Sequence, residues 1–407
     1  MRAGSVANSG AEPDTRPWRA LMWTWTRRRK TALLAVSPLL LAACGAATAI
    51  PAGLDSPVPT LSRTADPGVS GTVWVANEGA GSLSAIDAAT GEVLTTVTGI
   101  PSPHNVQASP DGATVWAVSG HNNALVALDG VTSRLLMTAA TGASPAHVVV
   151  GPDGSSVYVT NSGEDTLARY DATTASSTGT VALSAGPHGL RPSRDGAALV
   201  VAGTTAGTID VVDPRNLTRT TTIAVGSSPV QVAVSDDGAF AYVSLAGESA
   251  VAKVDLVRHE VVQKVTVPTP PVQLYLTPDG ARLLSADQGT ADAPGDTVSI
   301  IDVATMTVSG TVTTGAGPHG VVVDPSGSRA WVTNLYADTV SVLDLTNLAV
   351  TATITVGDMP NGISFSPVTV TGASAETAVD VPDYSADAAG DEGDDAGHGH
   401  GEGDHHG

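Results

Sequence analysis

Cysteine occurs once in the 407 residues, as Cys44. No internal disulfide can form, and the rest of the chain offers no thiol nucleophile. Basic residues are also scarce, with 19 Lys plus Arg against 40 Asp plus Glu. Removing residues 1–43 takes away seven basic and two acidic side chains, leaving 12 against 38, or a net charge of −26. Such a surface repels phosphate backbones and carries no basic stripe, so nucleic acid is not an expected partner. No apolar run is long enough to cross a bilayer. No sustained helical period appears over residues 71–367. A Gly-x-Ser-x-Gly elbow and a phosphate-binding glycine loop are missing as well.

What is present is a repeat. Asp87, Asp129, Asp171, Asp213 and Asp255 recur every 42 residues, Asp302 follows after 47, and Asp344 after a further 42. A period in the low forties, with several short strands per unit, marks a β-propeller in which each copy is one four-stranded blade. The third copy is the clearest, with Val157 to Asn161, Thr166 to Asp171 and Thr180 to Gly186 read as strands after an Asp153-Gly154 hairpin. Asp-Gly supplies the positive φ that a tight hairpin needs. The first copy begins at its second strand, Thr72 to Asn77, and the last stops after a lone first strand, Gly362 to Ser366. These fragments are expected to pair in one blade and close the ring, leaving no open sheet edge. The expectation is an all-β, seven-bladed propeller over residues 71–367.

Tyr158-Val159-Thr160-Asn161, with the variants Trp331-Val332-Thr333-Asn334 and Trp74-Val75-Ala76-Asn77, resembles the YVTN-repeat propellers that include YncE-like proteins. The resemblance implies the fold and leaves activity open, because fold and function are separable.

The flanks read differently. Arg27, Arg28, Arg29 and Lys30 precede the apolar run Thr31–Leu41, which ends in Leu41-Ala42-Ala43-Cys44. This is the pattern of a secretory signal over residues 1–43 and resembles a bacterial lipobox, with Cys44 as the lipidated residue. Residues 44–70 then form the lipidated N-terminus and a flexible tether. A monomer held outside the cytoplasm on the bacterial cell membrane by its lipid anchor follows. Residues 368–407 read as a disordered, acidic, His-rich tail.

The repeated Asp residues are expected to cap turns rather than act as paired catalytic carboxylates. Breaks in the repeat carry more. Just after the Pro that opens each first strand stand His104, Ala146, His188, Val230, Val272, His319 and Asn361, with His147 one residue later. Pleated side chains alternate, so His147 need not point with the others. In a four-stranded meander these histidines share one rim with Asn77, Asn161, Asn334, His121 and the five-residue insertion within Asp287–Asp296. No inward acid is expected there beyond those the repeat explains.

Two readings of the rim stay open. Gly-Pro-His-Gly is a scaffold habit of the YVTN family, or His104, His188 and His319 are primary ligands of a transition metal such as zinc or copper, with His147 auxiliary. His398, His400, His405 and His406 add a flexible tract of the kind that binds metal exchangeably. The layout resembles extracytoplasmic zinc chaperones, which implies a metal ion and a metal-transport or envelope protein as partners. A non-metal interaction scaffold is the alternative and a lactonase-like hydrolase the third reading, so catalysis is not expected.

Overall fold

The computed structural model describes residues 68–386. Seven antiparallel sheets follow one another along this stretch, each a four-stranded meander, and one 3-10 turn at Ala246–Glu248 is the sole helical element among the described residues. Blade 2 spans Pro103–Ala140, blade 3 Pro145–Ala182, blade 4 Pro187–Ala224, blade 5 Pro229–Thr266, blade 6 Leu274–Thr313 and blade 7 Pro318–Thr355. Blade 1 is composite. Its inner strand is Pro360–Ser366, and Thr72–Asn77, Ser82–Asp87 and Val93–Thr98 follow outward. Thr72 pairs with Ser366, Trp74 with Ser364 and Val75 with Ile363, so the expected closure of the ring is observed. The inner strands contact one another in sequence all the way round and line the central channel.

The core lies between neighbouring blades. Trp74, Trp116 and Trp331 occupy one repeat position and are fully buried, each facing aliphatic side chains of the next blade. Trp331 also stacks on Phe365 across the closure, with ring centroids 5.9 Å apart. Period-2 alternation in the second and third strands sends one set of apolar side chains to each neighbouring blade, which is why these strands read as nearly continuous apolar runs.

The repeated acids do turn work. Asp129 Oδ1 accepts the backbone N–H groups of Val131 and Thr132, and Asp171 and Asp344 do the same two and three residues on. In the Asp-Gly hairpins, Asp111 accepts Ser109 Oγ–H and the Ala113 N–H, a pattern repeated at Asp195, Asp237 and Asp279.

Two boundaries differ from the sequence reading. Within the expected tether of residues 44–70, Val69 is buried against blade 7. The tail expected from 368 is ordered over its first part. Residues 368–386 form a strap that climbs blades 1 and 2. Glu376–Ala378 adds a parallel fifth strand to Val93–Thr98, with Thr377 opposite Val97. Val370 and Val381 are buried in the core shared by these blades. Higher up, Asn122 donates from Nδ2 to the Val381 carbonyl at 2.9 Å and accepts the Tyr384 N–H on its own carbonyl at 2.9 Å. Low complexity hid three apolar anchors spaced too widely to form a period. No helix among the described residues is long and apolar enough to cross a membrane. Residues 1–67 and 387–407, which hold the expected signal, Cys44 and the four tail histidines, lie outside the described residues.

Candidate metal site at the channel mouth

Where the inner strand leaves the channel, its pairing slips in six of the seven blades. In blade 3, Pro145 pairs with Asn161 and Val148 with Val159, so Ala146 and His147 together face Thr160 alone. Blade 4 repeats the slip over His188 and Gly189, and blade 2 over His104. Such a bulge cancels the alternation of side chains and re-aims the extra residue. His147 therefore reaches the same point as His104 and His188 although it sits one position later, which a regular pleat would forbid.

The motif residues hold this arrangement. Thr160 Oγ1 accepts the His147 N–H at 3.1 Å and donates to the His188 carbonyl at 2.7 Å, clipping the bulge of one blade to the next. Thr333 performs the same task between Gly320 and Asn361. Asn77 and Asn334 donate to the hydroxyls of Ser84 and Ser341 across the second hairpin. Gly189 has no room for a side chain, since a Cβ there would lie 2.3 Å from Gln231 Oε1.

Three imidazoles converge as a result. The ligand nitrogens of His104, His147 and His188 all lie within 4.8 Å of one another. His104 Nε2 and His188 Nε2 are 3.3 Å apart, and the ring centroids of His147 and His188 are 4.7 Å apart. His319 stands further off, its centroid 6.5 Å from that of His104, and it is not part of the close set. The structure thus groups His147, read from sequence as auxiliary, with His104 and His188, and sets the expected primary ligand His319 beside them. His121 lies on the same rim in the loop that carries the strap, away from the cluster.

Desolvation keeps His147, His188 and His319 neutral. Desolvation, then the nearby His188, His104 and Arg191, drives His147 well below the usual imidazole range. Desolvation followed by repulsion from His104 lowers both His188 and His319 to about 3. A neutral imidazole has one N–H and one lone pair. His188 Nδ1 lies 3.2 Å from the Val230 carbonyl, which can only accept, so the lone pair of His188 is on Nε2, facing the cluster. His147 is 1% exposed and neither of its ring nitrogens has a hydrogen-bond partner among the described residues.

Two acids on this rim were missed by the sequence reading. Glu78 is partly buried beside His104, with Oε2 at 3.3 Å from Nδ1. Burial works to raise its carboxyl, but the electrostatic interaction with His104 and hydrogen bonds from His104 and Asn361 outweigh it and hold Glu78 below the usual range. Its signal was available. The equivalent positions in the other copies are Gly120, Ser162, Thr204, Ala246, Gln288 and Leu335, so the acid is unique. Asp287 is wholly buried and takes the place that Asn77 and Asn334 fill elsewhere. It accepts from Ser285 and Ser299, and burial pushes it up to about 6.

The seven-bladed ring with its Tyr-Val-Thr-Asn clips agrees with the comparison of its sequence with known families. Residues 123–294 match the YNCE-like beta-propeller family. The resemblance read from the repeats is borne out over that YNCE-like stretch. Among curated proteins none matches the chain. Several solved structures do. Hydrazine synthase from Kuenenia stuttgartiensis is 22% identical with a TM-score of 0.60, over 66% of this chain and 91% of that one. A candidate 6-phosphogluconolactonase from Bacteroides fragilis is 19% identical with a TM-score of 0.62, over 76% and 99%. Apo AztD from Citrobacter koseri is 17% identical with a TM-score of 0.57, over 73% and 98%. At these identities the likeness is one of fold.

Proposed function

We propose that this YNCE-like propeller is a metal-binding protein that takes a transition-metal cation, zinc or copper, as cargo at the channel mouth. The observation that carries this reading is the convergence of His104, His147 and His188 from three consecutive blades within 4.8 Å, with desolvation keeping His147 and His188 neutral. Neutral imidazole is the ligating form, and three such rings with a fourth position free are a known zinc donor set. Two nitrogens bound at 2.0–2.1 Å on a tetrahedral zinc stand about 3.3 Å apart. His104 Nε2 and His188 Nε2 already have that separation. Inward movement of His147 by on the order of 1 Å would complete a three-nitrogen set, within the range of a side-chain adjustment.

The strap bears on the same reading. It is tied to Asn122, next to His121, on the rim that holds the cluster. His398, His400, His405 and His406 follow in sequence and would supply further exchangeable ligands. Lipid attachment at Cys44 would keep the protein outside the cytoplasm, where it would meet metal and a transport or envelope partner.

Calorimetric titration of zinc and copper(II) into the full chain tests the proposal. One tight equivalent should vanish in the triple variant His104→Ala, His147→Ala, His188→Ala, and persist when the four tail histidines are replaced by Gln. Unchanged tight binding in the triple variant would remove the metal reading. Turnover of lactones by the purified chain would instead favour a hydrolase, the reading that the Bacteroides fragilis neighbour suggests.

A further inference from the structure

Among the described residues, Glu78 is the acid that meets the histidine cluster directly. Its Oε2 is 3.3 Å from His104 Nδ1 and accepts the Asn361 amide at 2.7 Å, while the same Asn361 Nδ2 lies 3.1 Å from His104 Nδ1. The Glu78 backbone is fixed by its N–H, which donates to the Met359 carbonyl at 3.0 Å. His104 Nδ1 thus has two competing neighbours. A carboxylate can only accept, so contact with Glu78 requires a proton on Nδ1. An amide N–H can only donate, so contact with Asn361 alone requires a lone pair on Nδ1.

We propose that Glu78 is a positioning residue that keeps the proton of His104 on Nδ1 and so leaves the Nε2 lone pair facing the metal position. The argument rests on the metal-binding reading of the same site. His188 is set the same way by the Val230 carbonyl, and both Nε2 lone pairs then face each other at 3.3 Å. That contact is repulsive when bare and is relieved by a cation between the rings. Without Glu78, Asn361 donates to Nδ1 and the His104 proton moves to Nε2. There it would donate to His188 Nε2, using both lone pairs the metal needs. A carboxylate behind a ligating imidazole also raises the basicity of the ring, and loss of such a partner typically costs 10–100-fold in metal affinity.

The test uses long-range proton–nitrogen spectra of the full chain with labelled histidine and no metal added, which assign the tautomer of each ring. His104 should carry its proton on Nδ1 in the parent chain. In Glu78→Met, which removes the acceptor, it should move to Nε2, and zinc measured by competition with a chromophoric chelator should bind 10–100-fold more weakly. In Glu78→Gln, whose amide oxygen still accepts, the Nδ1 proton should remain and the loss should be smaller; this variant and the parent spectrum decide the matter if the Met variant does not fold. An Nε2 proton on His104 in the parent, or equal zinc affinity in parent and Glu78→Met, overturns the proposal. A parent chain that binds no zinc but shows the expected tautomers retires the metal reading and leaves the Glu78 assignment standing.

Discussion

At the scale of residues, substitutions within the repeat act as natural comparisons. Asp287 replaces an Asn whose amide bridges the second hairpin in two other blades, and it keeps the geometry while exchanging a donor for a buried acid. Its folded value of about 6 lies above the ordinary 3.8, so its contribution is favourable below pH 4 and is lost as pH rises through 6. Asp287→Asn should therefore stabilise the protein at pH 7 by on the order of 2 kcal/mol, with the gain vanishing below pH 4. Urea unfolding at the two pH values measures this. His188 and His319 have the opposite sign. Their folded values of about 3 lie below the imidazole norm, so their stabilisation is present above pH 6.5 and lost as pH falls toward 3. His319→Gln should flatten the fall in stability over that window. Thr160→Val leaves the His147 N–H without its acceptor in a buried place and should cost about 1–3 kcal/mol in the same assay.

At the scale of elements, the strands, hairpins and ring closure were legible because a period of 42 residues multiplies every weak local signal by seven. The histidine positions on the rim were legible for the same reason. Two things were not. Period-2 reasoning separated His147 from His104 and His188, because a bulge leaves no mark in the sequence of one strand. The strap was read as tail, because its anchors Val370, Val381 and Tyr384 are too far apart to show a pattern. Tyr384 reaches Thr138 with its hydroxyl at 3.0 Å, and the strap covers the outer strands of blades 1 and 2. A chain ending after Pro367 should lose on the order of 2 kcal/mol, since burial of two valines contributes about 3 kcal/mol or more and ordering the strap offsets part of it. Chemical denaturation of the shortened chain measures the difference.

At the scale of the whole molecule, the ring brings together three side chains that are 41 to 84 residues apart in sequence and would never form a recognisable ligand motif. Seven inner strands meeting at one channel make that convergence inexpensive, and departures from the repeat decide what the channel mouth holds. The net charge of −21 favours cations and disfavours phosphate polymers around this frame. X-ray absorption at the zinc edge, on full chain carrying Gln at the four tail histidines and loaded with one equivalent of zinc, tests the central claim most directly. The account predicts imidazole scattering from three nitrogens at about 2.0–2.1 Å, lost in the triple His104, His147 and His188 variant. A shell of oxygen alone, or the same imidazole signal in the triple variant, would contradict it.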